Sequence, residues 1–516
     1  MDQSSKPSST TPRFEDADKA TPLRRVSLPL HVEANPVAFR DFAPRQGQGA
    51  NKRFFVQNFG CQMNDYDVER LTEVLRRDGY ERTEDLDAAD LVLIETCAIR
   101  EKSEAKVASA AGRLKEWRAQ PGRQLAIGGC VAQQEGPKLL KRIPHADLTF
   151  GPDQIPNVPE LLRSAARERR RIATTEVIDV EDYTFLDADP RPGDVTVTAL
   201  VTIQKGCDNV CAYCVVPYTR GREVSRPAAE VVAEVRRFVA AGAREVTLIG
   251  QNVNSYHGIG GADGDDFAAL LALVDEVPGL LRLRYTTSHP KDFTPMVARA
   301  YSRLRRLCSW LHLPVQSGSS AVLERMRRGY TVEEYVAKLD DVRAHCPDVS
   351  ITSDVIVGYP GETEADHQAT LALLERAQYD SIFSFTYSPR PNTSATDLGD
   401  DIPDAVKSAR LQEVQAVQRA ITTRRLERFL GQTVEVLVEG ESRQGAQACG
   451  RTPGNQMVNF ALPAGTTAAQ LVGRLVRVRV DSARPNTLVG GDVLVGAIDT
   501  TQQDTTQSST AALPND

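Results

Sequence analysis

Three apolar runs in the first third of the chain finish the same way: "RFFVQNFGC" ends at Cys61, "DLVLIETC" at Cys97 and "LAIGGC" at Cys130. The intervals of 36 and 33 residues suit successive βα units. Val68, Leu71 and Leu75, then Val107, Ala111, Leu114 and Trp117, recur at helical spacing in the first two crossovers. The third crossover is interrupted by Gly136-Pro137. Successive βα units build an open parallel sheet, whose ligands sit beyond the carboxyl ends of the strands. Each unit puts its cysteine there, so the three thiols are expected to converge.

The alternation resumes at residue 195, with strands expected near 196–203, 245–249, 281–286, 310–315, 350–357 and 381–387. Helical stretches intervene, such as Val231, Val235 and Phe238 after Pro227. Six units predict a complete or partial parallel barrel with its chemistry at the strand carboxyl ends. Beyond 431 the texture changes to short strands, "TVEVLVE", "QMVNF" and "RLVRVRV", between Gly, Pro and Asn turns, which predicts a small antiparallel barrel. The chain is therefore α/β, and its organisation reads as a disordered extension over 1–50, a first domain over 51–165 and a linker over 166–194. A barrel domain over 195–428, a terminal domain over 429–497 and a disordered tail over 498–516 complete it.

A chain of 516 residues is too long for one core. No run of eighteen apolar residues occurs and the N-terminus lacks a signal-like stretch, so a cytoplasmic protein without a membrane span is expected. Nine cysteines in a reducing compartment point to metal or redox chemistry. The net charge of −7 argues against a nucleic-acid partner, yet Lys407 to Arg484 carries twelve Lys/Arg against six Asp/Glu. Arg443, Arg451, Arg474, Arg477 and Arg479 could contact phosphate there, or simply form the solvent face of strands.

Directly after the first barrel strand, Cys207, Cys211 and Cys214 form C-x3-C-x2-C. A structural zinc site wants four protein ligands, and no fourth is near in sequence. A 4Fe-4S cluster on three thiolates leaves one iron open to a substrate or cofactor. The spacing resembles the radical S-adenosylmethionine superfamily, in which that iron chelates the methionyl amino and carboxylate groups. Tyr213 matches the superfamily's aromatic position near the adenine. The resemblance implies one-electron cleavage of the sulfonium to a 5′-deoxyadenosyl radical, with an external one-electron reductant. Such chemistry is called for where no side chain can remove the hydrogen.

Taken with "FGCQMN" (59–64), "CVVPYTRGREVSRP" (214–227), "LIGQNVNSY" (248–256), "HLPVQSGS" (312–319) and "DVIVGYPGET" (354–363), the chain resembles the methylthiotransferases of the MiaB type from about 51 to 497. "CGRTPGNQMVNF" near Cys449 resembles the terminal TRAM domain. The resemblance implies a second 4Fe-4S cluster on Cys61, Cys97 and Cys130, facing the first across one cavity. It also implies two molecules of S-adenosylmethionine, one giving a methyl group and one the radical. The expected reaction puts a methylthio group on C2 of N6-isopentenyladenosine at tRNA position 37. Gln251, Asn252 and Gln316 at strand ends, with Gly358 and Pro360 after the fifth strand, are candidate cofactor contacts, although polar or tight turns need the same residues. No side chain is given a catalytic role, and a monomer is expected.

Other residues stay open. Arg220 and Arg222 could pair with a carboxylate or phosphate, or lie on the surface; Asp354 reads as a satisfied core carboxylate. His257 and His312 are unassigned, "GIGGADG" (258–264) reads as a flexible insertion, and Cys308, Cys346 and Cys449 lack cluster spacing. Competing functions are methylthiolation of threonylcarbamoyl-adenosine in tRNA, or of a ribosomal-protein aspartate (the RimO type). A further alternative is an RNA-binding protein with structural metal sites.

Overall fold

β1 (Lys52–Asn58) is flanked in parallel by β2 (Tyr80–Arg82) and β3 (Leu91–Thr96), and β4 (Gln124–Gly129), β5 (Leu148–Phe150) and β6 (Ile172–Thr174) extend the sheet in the order β2-β1-β3-β4-β5-β6. The computed structural model describes residues 51–98, 101–191, 195–260 and 265–493, apart from 444, 446, 464 and 486. The expected extension and tail lie outside the described residues, as do 261–264 of the "GIGGADG" stretch. Every residue of β3 is buried, as a parallel strand covered on both faces requires. The predicted helical stripes supply that cover: Leu71 and Leu75 on one face, Val107, Ala111, Leu114 and Trp117 on the other. Gly136 divides the third crossover into helices Cys130–Glu135 and Pro137–Arg142. β6 falls within the stretch read as a linker, where a three-residue strand behind an arginine run leaves almost no period to detect.

The next six strands of the main α/β alternation form two parallel three-stranded sheets. β7 (Thr198–Thr202) lies beside β10 (Glu245–Ile249), which pairs with β11 (Arg282–Tyr285); β12 (Trp310–His312), β13 (Ser350–Val357) and β14 (Ser381–Thr386) form the second. β8 (Gln204–Lys205) and β9 (Val224–Ser225) make a small antiparallel ribbon around the cysteine loop. A parallel bridge between Leu283 and Leu307 links the sheets, giving a partial barrel with β7 and β14 as its edges. Val201, Val246, Leu248, Leu283, Leu311, Ile351 and Val355 pack outward against helices, sharing one core with Val231, Phe267 and Leu339. By the two-residue period, the alternate side chains turn to the concave face. Pro227 caps the helix Ala228–Ala240 from one position before its first turn.

The last domain is a closed barrel in the order β15 (Thr433–Glu441), β16 (Gln447–Arg451), β17 (Met457–Ala461), β19 (Thr487–Val493), β18 (Leu475–Arg484). One contact, β17 with β19, is parallel rather than antiparallel, because β18 crosses over to close the barrel. The turn joining β16 and β17 stoppers the amino-terminal mouth of the partial barrel. Buried Arg284 donates to the carbonyls of Pro453 and Thr452, both at 2.8 Å, and its Nε lies 3.0 Å from Glu245. Gln456 Nε2 reaches Ser350 Oγ at 2.6 Å. Arg284→Ala strands a buried carboxylate and two carbonyls, so a loss of about 3 kcal/mol is expected in urea unfolding.

Candidate functional site

β1, β3 and β4 are neighbours, and their ends coincide, with Asn58 opposite Glu95 and Thr96 opposite Gly129. Adjacent strands lie roughly 5 Å apart, so the loops carrying Cys61, Cys97 and Cys130 meet. Asn64 ties the first to the second: its Oδ1 accepts from the Cys61 N–H at 3.2 Å while its Nδ2 donates to the Thr96 carbonyl at 3.0 Å. Thr96 Oγ1 ties the second to the third, accepting from Val131 N–H at 3.2 Å. Gly129 has φ 90°, and a Cβ there would lie 2.3 Å from the Thr96 carbonyl oxygen; only glycine lets β4 turn sharply enough to present Cys130. The thiols interact. Cys61 is lowered to about 6 by a hydrogen bond with Cys97 and, against burial, by the charge of Arg220, whereas burial raises Cys130.

The second trio occupies the loop held by β8 and β9. Gly206, with φ 74°, brings the chain so close to Arg222 that a Cβ would lie 1.9 Å from its carbonyl oxygen. Burial pushes Cys207 up to about 11 and Cys214 up to about 12. Buried Arg328 donates to Cys211 Sγ at 3.2 Å and to the Pro314 carbonyl at 3.0 Å. His289 Nδ1 accepts from Lys291 N–H, which leaves the proton on Nε2, 3.5 Å from Cys211 Sγ. Burial, with Arg328, Lys291 and Lys338 nearby, lowers this imidazole to about 2, so it is a neutral donor. Two N–H donors on one cluster sulfur would disperse the charge it carries when metal is bound.

The two trios are joined by one short helix, Val216–Arg220. Val215, directly after Cys214, packs against Cys130, Ala98 and Val131. Five residues later Arg220 makes a two-pronged bond to Asp67, at 3.1 and 2.5 Å, and its charge acts on Cys61 and Cys130. A helix of five residues spans roughly 8 Å, so the two cysteine sets are near neighbours. Arg220 is thus buried between them, not on the surface, while Arg222 pairs with the Asp208 carboxylate at 2.7 Å on the exposed side.

The candidate cofactor contacts divide into two groups. Gln251 Oε1 accepts from the Gly206 N–H at 2.5 Å, and Asn252 Nδ2 donates to Asp292, which also receives Asn209 Nδ2 from within the cysteine loop. Gln251 Nε2, Asn252 Oδ1 and both amide atoms of Asn254 are buried without a partner among the described residues. Buried polar atoms call for a partner, which a water or a ligand supplies. Tyr213 is packed against the cluster of Ala212, Val322, Met326 and Tyr359. Gln316, four residues beyond β12 and bridged to Val355, has φ 75°, a left-handed conformation found where function over-determines the backbone. Gly358 donates to Glu362 Oε2 at 2.7 Å and lies against Lys407.

The donor chemistry fits iron-sulfur clusters: each site offers three thiols and no fourth cysteine. Among the described residues no three His, Cys, Asp or Glu are gathered for a single ion, whereas a cube binds each thiolate at a different iron. Family models match in three places: "Uncharacterized protein family UPF0004" over 53–151, the radical SAM superfamily over 201–374 and the TRAM domain over 427–491. The tRNA-2-methylthio-N(6)-dimethylallyladenosine synthase of Anaeromyxobacter sp. (strain Fw109-5) is 49% identical over 454 residues, spanning 87% of this chain and 96% of that one. The enzyme of the same name from Geobacter metallireducens is 47% identical, over 85% and 98% of the two chains.

The chain belongs to this synthase family. It is a radical SAM methylthiotransferase of tRNA modification, using an iron-sulfur cluster and S-adenosylmethionine. Among solved structures, the radical S-adenosylmethionine methyltransferase TsrM from Kitasatospora setae aligns with a TM-score of 0.49 at 16% identity, over 67% of this chain and 75% of that one. No helix among the described residues is long and apolar enough to cross a membrane.

Several residues of this methylthiotransferase site escape sequence reading. Arg328 and His289 come from loops far from the cysteines and carry no motif of their own. Asp354 is half-buried on the concave face, 3.6 Å from His312, rather than a satisfied core carboxylate. Its strand alternates, and a single carboxylate within an apolar run does not reveal which face it occupies.

Proposed function

We propose that Cys207, Cys211 and Cys214 hold the radical SAM cluster, that Cys61, Cys97 and Cys130 hold a second 4Fe-4S cluster, and that both open irons face one chamber. The observation carrying this reading is the helix Val216–Arg220, whose first residues adjoin one trio and whose last reaches the other. Bound there, the clusters supply a one-electron reductant for the sulfonium and a site for sulfur awaiting transfer. The chain's own part is placement. Arg328 and His289 hold the Cys211 thiolate, and Gln251, Asn252 and Asn254 offer amide groups to S-adenosylmethionine at the carboxyl end of β10. Tyr213 and Gln316 line the same end. Holding donor and target in contact and dry is worth many orders of magnitude to such a reaction.

The substrate is the adenosine beside the tRNA anticodon that carries an N6-isopentenyl group, methylthiolated at C2. The relatives' shared name supports this, and the exposed Arg474, Arg477 and Arg479 of the terminal barrel are suited to phosphate contact that positions RNA without reading it. Nucleosides of tRNA from cells lacking the protein, read by mass spectrometry, are expected to lose the methylthio-isopentenyl form and accumulate its precursor. Loss of a methylthio-threonylcarbamoyl form instead would overturn the substrate assignment.

A further inference from the structure

β14 is an edge strand, and its alternation is reversed from what a barrel strand should show: Phe383 and Phe385 are 53% and 37% exposed. Two aromatic rings open to solvent on the concave side of a barrel are costly unless something covers them. Their surroundings indicate what does. In register, Phe383 lies opposite Asp354 and Phe385 opposite Ile356. His312 closes against the Phe383 ring edge-on, 6.1 Å between centroids, and Trp310 stacks on His312 at 6.4 Å. Ile356 packs on the same apolar cluster as Tyr213, a cluster that includes Ala212 of the radical cysteine loop. The wall therefore climbs from Trp310, through His312, Asp354 and Phe383, to Phe385, Ile356 and the cluster site, each two-residue step rising roughly 7 Å.

We propose that this wall receives the target nucleoside, with Phe383 and Phe385 covering the apolar N6 substituent and Asp354 accepting the N6 hydrogen; this rests on the substrate reading above. The argument is one of chemical match. A secondary amine bearing a branched C5 alkenyl chain presents one hydrogen-bond donor next to an apolar surface. The wall presents one carboxylate next to two uncovered phenyl rings. The Asp354 carboxylate has no donor among the described residues within hydrogen-bonding distance, His312 Nε2 being 3.6 Å away. Through Ile356 the apolar strip adjoins the cluster that carries Ala212 of the cysteine loop, so a base seated on it lies toward the radical site and not away from it. Phe383 and Phe385 are specificity-determining residues on this account, and Asp354 orients the base.

The test is equilibrium binding of the reconstituted holoenzyme to two anticodon stem-loops, identical except that one carries the N6-dimethylallyl group. The unsubstituted enzyme is expected to prefer the alkylated RNA by tenfold or more, the usual yield of an apolar pocket. Phe383→Ala should collapse that preference by weakening the alkylated RNA alone, and Phe383→Leu should restore most of it. Asp354→Ala should weaken both RNAs alike, because both carry an N6 hydrogen. Leu273→Ala, on an exposed helical face outside the barrel, should leave both affinities unchanged. Equal weakening of the two RNAs by Phe383→Ala, or no weakening of either, overturns the proposal, as does an unsubstituted enzyme that binds both equally. Failure of the substrate reading itself would be seen separately, in the cellular nucleosides.

Discussion

Anaerobically reconstituted Cys211→Ala protein is expected to form no 5′-deoxyadenosine and to hold about four irons where the unsubstituted chain holds about eight. The two numbers follow from where Cys211 stands. It faces two donors brought from distant loops, Arg328 and His289, and its neighbours Cys207 and Cys214 are pushed toward their protonated forms by burial. Two half-buried thiols without the third lack both the chelate and the charge balance a cube needs. The other trio is carried by a different sheet, on loops fastened to one another by Asn64 and Thr96, so its ligands stay in place. Iron is measured by colorimetric assay and 5′-deoxyadenosine by chromatography. Retained deoxyadenosine would remove the radical role from this loop, and complete loss of iron would show that the trios do not assemble independently.

That independence bears on what a sequence can disclose. Cys61, Cys97 and Cys130 were legible as a convergent set because strand ends in a parallel sheet are fixed by topology: three like residues at three adjacent ends must meet. The six barrel strands were legible for the same reason, since each is a short apolar run between helical periods. Tertiary partners that enter sideways were not. Arg220 looks like any arginine ending a helix turn, and only the docking of the first domain onto the barrel shows that it is buried against Asp67. The stopper turn at residues 452–455 gave no warning either, because its hydrogen bonds are made by backbone carbonyls, which every sequence has. Phe383 and Phe385 read as ordinary strand hydrophobes. Alternation locates two faces without saying which is covered, and in a barrel left open at one edge the answer is supplied by the ligand.

Replacing Arg220 separates the chemistry of the junction from its mechanics. Arg220→Met leaves the Asp67 carboxyl, 4% exposed, without its partner, and breaking a buried pair in this way costs about 3–5 kcal/mol. Urea unfolding should register that loss in full, since Asp67 is carried by the helix behind Cys61 while Arg220 ends the helix behind Cys214. Asp67→Leu combined with Arg220→Met removes both charges, and apolar replacement of a buried pair is often neutral or stabilising, so the double variant should recover most of the stability. It should not recover the second cluster. Cys61 and Cys130 feel the positive charge of Arg220 directly, and burial already works against thiolate formation at both. The double variant is therefore expected to fold, to form 5′-deoxyadenosine, and to bind only about four irons, with no methylthio product. A double variant that is stable and fully loaded would mean that Arg220 does no more than join two domains. One that remains unstable would mean that packing around Val215 and Cys130, and not the ion pair, holds the two cysteine sets against each other.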